Sequence, residues 1–304
     1  MITLAVVNRT ETFERIASPL AKRGIETRHV PATGRSFPLT TEDAPLGEID
    51  LEAIDVGFVY PGRLMEGGVL DAMLDVPWVN GRDAVVTSRN KAGVLARLDR
   101  AGIPVPATVM LSNPVEETAV LDAADSLGYP IVVKPNSTTR GTGVARAGDP
   151  DSLLGIFDYL ELVHDYRATG DKSFLLQEFL PDARDYRVMV LDGEYAGAVE
   201  RRLPSAAGSD VTADGAADRW KHNVHRGAKA TGVHLDDSLR TLAERVAGVL
   251  EVDLLGVDLL VNDDRTVVTE TNARPTIDAA TKYDPGFDDR LAALIRSQIE
   301  ERTT

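Results

Sequence analysis

Apolar and polar positions along the first third of the chain alternate between short apolar runs and helically spaced stretches. "ITLAVV" reads as a strand, residues 11 to 23 carry helical spacing that ends at Gly24, and "IETRHVP" returns as a strand. After a polar loop, "AIDVGFVY" and "PWVN" give further strands around a helical stretch over 64 to 75, so residues 1–83 are expected to form a small α/β domain. "NKAGVLARLDRAGIP" then predicts an amphipathic helix closed by Gly102 and Pro104. "ATVML" predicts a strand, "PVEETAVLDAADSLG" a helix stopped by Gly128, and "YPIVVKP" another strand. The turn formers of "NSTTRGTGVARAGD" interrupt before a helix near 150 to 163.

The last third reads differently. "SFLLQEFL", "DYRVMVLDGEYAGAVERRL" and "LLGVDLLVNDDRTVVTETNA" predict an antiparallel sheet with two hairpins, one turning on Asp192-Gly193 and one on Asn262-Asp263-Asp264. A helix over 236 to 251 lies between them, after a small-residue loop at 204 to 218. No internal repeat or coiled coil is present.

With 43% apolar and 27% charged residues, the chain has the composition of a globular protein. No run approaches the about 18 apolar residues of a membrane span, and "MITLAVVNRTETF" lacks the charged start of a signal peptide, so a cytoplasmic location is expected. Cysteine is absent, which excludes thiolate metal sites and a cysteine nucleophile. A net charge of -15 argues against a nucleic-acid partner, which needs a positive stripe. Seven lysines stand against 26 arginines, and this acidic, lysine-poor composition predicts a halophilic protein whose self-repulsion is screened by salt.

Candidate chemistry begins with the second hairpin. If its loop is Asp263 to Arg265, Asn262 pairs with Thr266 and Asp258 falls opposite Glu270, with Cβ atoms about 5 Å apart. Asn272 follows on the same face. Two carboxylates opposed inside apolar runs are unfavourable without a cation between them, and three hard oxygen donors suit Mg²⁺ or Mn²⁺. "VVKPNSTTRGTGVA" places Lys134 at a strand end before a loop with Gly141 and Gly143, an arrangement that can surround phosphates. It matches neither the Walker pattern nor G-x-G-x-x-G. "LLQEFL" with "ARDYR" could present Glu178 and Phe179 to an adenine edge and Asp185 to a ribose. Arg201, Arg202, Arg219, Lys221, His222, His225 and Arg226 concentrate positive charge that suits phosphate or carboxylate.

Taken in order, Lys91, Lys134 with its glycine loop, "QEFL", Asp185, "ERR", "HNVHRG", Asp258 and "ETNARP" resemble the ATP-grasp superfamily, and most of all the RimK-like alpha-L-glutamate ligases. The resemblance covers residues 84–304. It implies an ATP-grasp fold of mixed α/β (α+β) class, with a lid subdomain at about 105–175, an antiparallel-sheet subdomain at about 176–304, and the nucleotide held between them. It implies that Lys91 and Lys134 hold the phosphates, with the 136–143 loop, including Arg140, Gly141 and Gly143, folding over them. Glu178 and Phe179 would flank adenine, Asp185 would take the ribose, and Lys221, His222 and Asn223 would add nucleotide contacts. Asp258, Glu270 and Asn272 would bind two Mg²⁺ or Mn²⁺ ions, and Arg187, Arg202 and Arg226 would face the anionic substrate as catalytic groups.

The activity so implied is that of an ATP- and Mg-dependent carboxylate-amine ligase. It would join an amino acid, expected to be glutamate, to a protein, carrier or coenzyme acceptor through an acylphosphate, and act as a dimer or tetramer. A non-catalytic ATP-binding regulator and an ATP-grasp kinase stay open as alternatives.

Overall fold

The computed structural model describes residues 1–7, 10–34, 36, 37, 39, 50–138, 142–166, 171–202, 229–279 and 282–303. Its first sheet is parallel, as the alternation of strand and helix requires. β1 (Ile2–Val6) pairs with β2 (Ile25–His29) and β3 (Val56–Phe58), and β3 pairs with β4 (Trp78–Val79). α1 (Thr10–Ala21) and α2 (Leu64–Leu74) are its crossover helices. Two helices then lead away: α3 (Arg82–Arg89), which the apolar pattern did not predict, and α4 (Lys91–Arg100), capped by the Asn90 side chain, which accepts from Gly93 N at 3.0 Å.

A four-stranded antiparallel sheet follows. It is built from β5 (Thr108–Ser112), β6 (Ile131–Pro135), β7 (Ala145–Ala147) and β8 (Ser173–Glu178) in the order β5-β8-β6-β7. α5 (Glu117–Leu127) and α6 (Pro150–Tyr166) cover it. Its core is its own, running from Leu111 and Val120 to Phe174 and Leu176.

An antiparallel sheet of six strands forms in the last third as expected, but "SFLLQEFL" is not part of it: that run supplies β8 of the preceding sheet, where it pairs with β5 and β6. β9 (Arg184–Leu191), β10 (Glu194–Arg202), β11 (Lys229–Val233), β12 (Leu254–Val261) and β13 (Thr266–Asn272) lie in the order β11-β10-β9-β12-β13, and the short β14 (Lys282–Tyr283) pairs with β10. The Asp192-Gly193 turn forms as expected, with φ of 52° and 74° at its two central residues. α7 (Asp237–Leu250) crosses one face, with Leu242, Val246 and Leu250 buried, and α8 (Phe287–Thr303) closes the chain. The spacing of Phe287, Leu291, Leu294 and Ile295, all buried, is helical and in hindsight readable. Two shared cores join this sheet to the first: Tyr60 and Trp78 pack with Val188 and Leu255, and Leu4 and Val6 with Met189, Leu191 and Ile295.

The second hairpin corrects the expected register. Val261, not Asn262, pairs with Thr266, and four residues form the turn. A bulge between Asp258 and Leu259 leaves Thr269 as an extra residue on β13, and the offset is restored: Asp258 does face Glu270, and Gly256 faces Asn272.

Gly197 shows what holds β14. Its φ is +143°, and an added Cβ would lie 2.6 Å from the Lys282 carbonyl oxygen, a backbone atom that cannot turn aside. Gly197→Ala is therefore expected to cost roughly 2 kcal/mol or more of stability, read as a lower urea midpoint at unchanged slope. An unchanged midpoint would mean that β14 contributes nothing to the sheet.

Candidate active site

Alternation along the strands of the large sheet puts Asp185 and Arg187 of β9, Arg201 of β10, Asp258 of β12, and Glu270 and Asn272 of β13 on one face, where all line a cleft of about 1460 Å³. Asp258 is at its centre, directly opposite Arg187 on one side and Glu270 on the other. Arg187 grips it with two hydrogen bonds, Nε to Oδ1 and Nη2 to Oδ2, both 2.7 Å. Arg201 lies 3.1 Å from Oδ2 through Nη2, and also donates to Asp185 from Nε at 3.1 Å and Nη2 at 2.5 Å. Burial opposes ionisation of Asp258, but the two guanidinium groups outweigh it and hold the carboxyl below its ordinary range. Burial likewise disfavours the Arg201 cation, yet Asp258 and Asp185 hold its proton more firmly than usual.

Glu270 is met by lysines instead. Lys91, in the first turn of α4, places Nζ 3.7 Å from Glu270 Oε1 and donates to Asn136 O at 3.2 Å and to Thr138 O. The Asn136 side chain ties the same loop to α4, accepting from Ala92 N at 2.9 Å and donating to Asn90 Oδ1 at 3.0 Å. Lys134, at the end of β6, donates to Gln177 Oε1 at 2.9 Å and reaches the carbonyl of the bulged Thr269 at 3.4 Å. Both ammonium groups are buried, at 5% and 6% exposure. Burial lowers the Lys91 pKa against the pull of Glu270, and lowers that of Lys134 to about 8, again against Glu270.

The remaining predicted residues divide. Glu178 and Phe179 line the cleft. The Glu178 carboxylate accepts from Ala107 N at 2.6 Å and pairs with Arg265, while its amide donates to Ala107 O at 3.0 Å, so it joins the small sheet to the tip of the second hairpin. Arg146 stands 5.3 Å over the Phe179 ring. Gly143 lies beside Pro135 at the end of β6. Asn272 lines the cleft, its Oδ1 accepting from Arg274 N at 2.9 Å. Arg202 is not brought to the cleft: it shares the opposite face of β10 with Glu200, which it meets at 2.7 Å, and its side chain is 68% exposed. Arg140, Gly141, Lys221, His222, Asn223 and Arg226 lie outside the described residues.

Arg201 takes the place in the cleft that was expected of Arg202, because the phase of β10 turns Arg201 toward Asp185 and Asp258 and Arg202 to the other face. Arg15, Arg89 and Arg274 also line the cleft, toward the first sheet; Arg15 and Arg89 belong to none of the motifs, and Arg274 lies within "ETNARP" but has no expected role there. Among the described residues no group of three or more His, Cys, Asp or Glu side chains converges on one point. Asp258, Glu270 and the Asn272 amide share the cleft face as hard oxygen donors, a set whose chemistry would fit Mg²⁺ or Mn²⁺.

Comparisons with known proteins give the family and the fold. Residues 88–293 match the family model of the RimK-like ATP-grasp domain. The alpha-aminoadipate–LysW ligase LysX of Sulfurisphaera tokodaii is 30% identical over 201 residues, 65% of this chain and 63% of that protein, so the chain spans less than two thirds of that relative. A probable alpha-L-glutamate ligase of Aliivibrio salmonicida is 30% identical over 234 residues, 75% of this chain and 69% of that protein. Among solved structures, D-alanine–D-alanine ligase from Bacillus anthracis superposes with a TM-score of 0.70 at 18% identity, covering 100% of this chain and 99% of that one. A RimK domain ATP-grasp protein from Sphaerobacter thermophilus gives 0.65 at 20% identity, covering 98% and 99%.

The lowered Lys134 pKa makes a test of its contact with phosphate. Above pH 8 the free protein holds this group largely neutral, whereas a bound phosphate favours the charged form and raises its pKa. ADP binding without divalent metal at pH 9 is expected to take up close to one proton at this lysine, an uptake that vanishes near pH 7 and in Lys134→Met. Calorimetry in two buffers of different ionisation enthalpy reads it, and no difference between wild type and variant would remove Lys134 from the phosphate site.

Proposed function

The chain belongs to the RimK-like ATP-grasp family, and on that premise we propose that it is an ATP-dependent carboxylate-amine ligase. Its amino-acid substrate would be glutamate, joined to a protein, carrier or coenzyme acceptor. The observation that carries this reading is the meeting, on one cleft face, of two buried ammonium groups, Lys91 and Lys134, with the facing carboxylates Asp258 and Glu270. Such a face needs an anion for its lysines and a cation for its acids, and a metal–nucleotide supplies both.

The chain's own groups divide the work. Lys91 and Lys134 hold the phosphates, and the loop carbonyls of Asn136 and Thr138 couple Lys91 to the segment beside them. Asp258, Glu270 and Asn272 would hold Mg²⁺ or Mn²⁺, in one or two ions; bound there, the metal neutralises phosphate charge and polarises the γ-phosphoryl group. Metal at Asp258 would compete with Arg187 and Arg201 for the same oxygens, leaving these guanidinium groups to orient the substrate carboxylate. That carboxylate attacks the γ-phosphorus and releases ADP. The amine of the second substrate then attacks the acylphosphate carbon, loses a proton, and displaces inorganic phosphate. No protein nucleophile is required, in keeping with the absence of cysteine.

Among the described residues no helix is long and apolar enough to cross a membrane. The acidic composition supports a cytoplasm rich in salt, and the family resemblance supports a dimer or tetramer.

The test is incubation with ATP, Mg²⁺, glutamate and a panel of acceptors in high salt, with products identified by mass. ADP release that requires both an amino acid and an acceptor, with a hydroxamate formed on adding hydroxylamine, is the expected result. Binding without any ADP release would favour a regulator. In the same assay Arg201→Lys, which loses the guanidinium fork, is expected to lower kcat about tenfold or more, whereas Arg202→Lys stays within about twofold. The reverse order would overturn the assignment of Arg201 to the cleft.

A further inference from the structure

We propose that Ser88, which lines the cleft beside Thr271, and Asn80, which lies outside it, are positioning residues that lock the end of β13 and so keep Glu270 and Asn272 on the metal-binding face. The inference rests on the metal reading of Asp258, Glu270 and Asn272 given above.

The need for such a lock follows from the bulge. Side chains of a strand alternate, so a slip of one residue would carry Glu270 and Asn272 to the wrong side of the sheet. On the turn side of the bulge, Asn262 fixes the pairing, its Oδ1 accepting from Asp264 N at 3.2 Å and Arg265 N at 3.0 Å. That control ends where Thr269 is looped out. Beyond it only three pairs remain, Asp258 with Glu270, Val257 with Thr271 and Gly256 with Asn272, before the chain leaves the sheet. All three predicted metal-binding residues belong to this short stretch.

Two side chains from outside the sheet hold it. Ser88, buried in α3, accepts from Ala273 N at 2.9 Å and lies 3.3 Å from Thr271 Oγ1, so it brackets Asn272 from behind. Asn80, which follows β4, donates from Nδ2 to Ala273 O at 2.6 Å and to Leu254 O at 2.5 Å, and accepts from Leu254 N at 3.2 Å. It therefore ties the first residue of β12 to the residue after β13, closing the open end of the hairpin. Both backbone groups of Ala273 are thus held by side chains, and Asn272 cannot move along the strand without breaking buried hydrogen bonds. A second layer of this kind commonly tunes metal affinity about 10- to 100-fold.

The experiment measures Mn²⁺ binding to the ADP-loaded protein by paramagnetic resonance of the free ion, alongside metal-free ADP affinity and thermal midpoint. Ser88→Ala is expected to weaken Mn²⁺ about tenfold and leave metal-free ADP affinity unchanged; Ser88→Thr, which keeps the hydroxyl, should recover most of the loss. Thr271→Val, which keeps shape and removes one partner of Ser88, should weaken Mn²⁺ by a smaller factor, and it decides the matter should Ser88→Ala fail to fold. Wild-type Mn²⁺ affinity in whichever of these variants folds overturns the proposal. Glu270→Gln separates this failure from that of the underlying reading: wild type binding Mn²⁺ no better than Glu270→Gln means that the metal assignment itself is wrong.

Discussion

A carboxylate taken out of water must be given cations, and Asp258 is the point at which this protein meets that demand. Removing one partner from a buried ion pair costs about 3–5 kcal/mol, so the placement of Asp258 at 4% exposure dictates the placement of Arg187 and Arg201 around it. Arg201 in turn carries Asp185 with it, and the result is two acids and two guanidinium groups sharing one face of the sheet. Glu270, directly opposite Asp258, would add an uncompensated charge to this set. Lys91 and Lys134 answer it from another direction, one from a helix N-terminus and one from the separate four-stranded sheet.

Each of these acids consequently has a cationic side chain near it before any ligand arrives, and this bears on how the cleft could exchange partners. A metal–nucleotide brings both signs at once: its cation can take the acids, and its phosphates the lysines. Exchange of one set of partners for another avoids leaving any buried charge alone at an intermediate stage. The same logic explains why a strongly acidic chain keeps so many arginines at one place.

The bulge at Thr269 gives the site its particular geometry. An extra residue re-aims the strand beyond it, and here the carbonyl of that residue lies within reach of Lys134 while its hydroxyl donates to the Asp258 carbonyl at 3.3 Å. Lys134 belongs to a sheet whose core is its own, whereas the acids belong to a sheet that shares two cores with the first sheet. Lys134 and the acids therefore sit on sheets with separate cores, which meet at the bulge and where Glu178 pairs with Arg265.

The sequence alone determined most of the strand and helix order, the α/β character of the first region, the antiparallel hairpins from Arg184 onward and the Asp192-Gly193 turn, because these follow from local periodicity and from backbone angles that few residues accept. It also brought Asp258 opposite Glu270, although by a register one residue off at the turn that the bulge then compensated. Tertiary structure alone decided the rest. Whether Arg201 or Arg202 enters the cleft depends on the phase of β10 against its neighbours, and two adjacent arginines carry no phase of their own. The eight residues of α3 have too little apolar periodicity to announce a helix, yet they place Ser88 behind Asn272 through contacts that span 185 residues of chain. A bulge leaves no mark in composition, since it is a compromise between two strands and not a property of either.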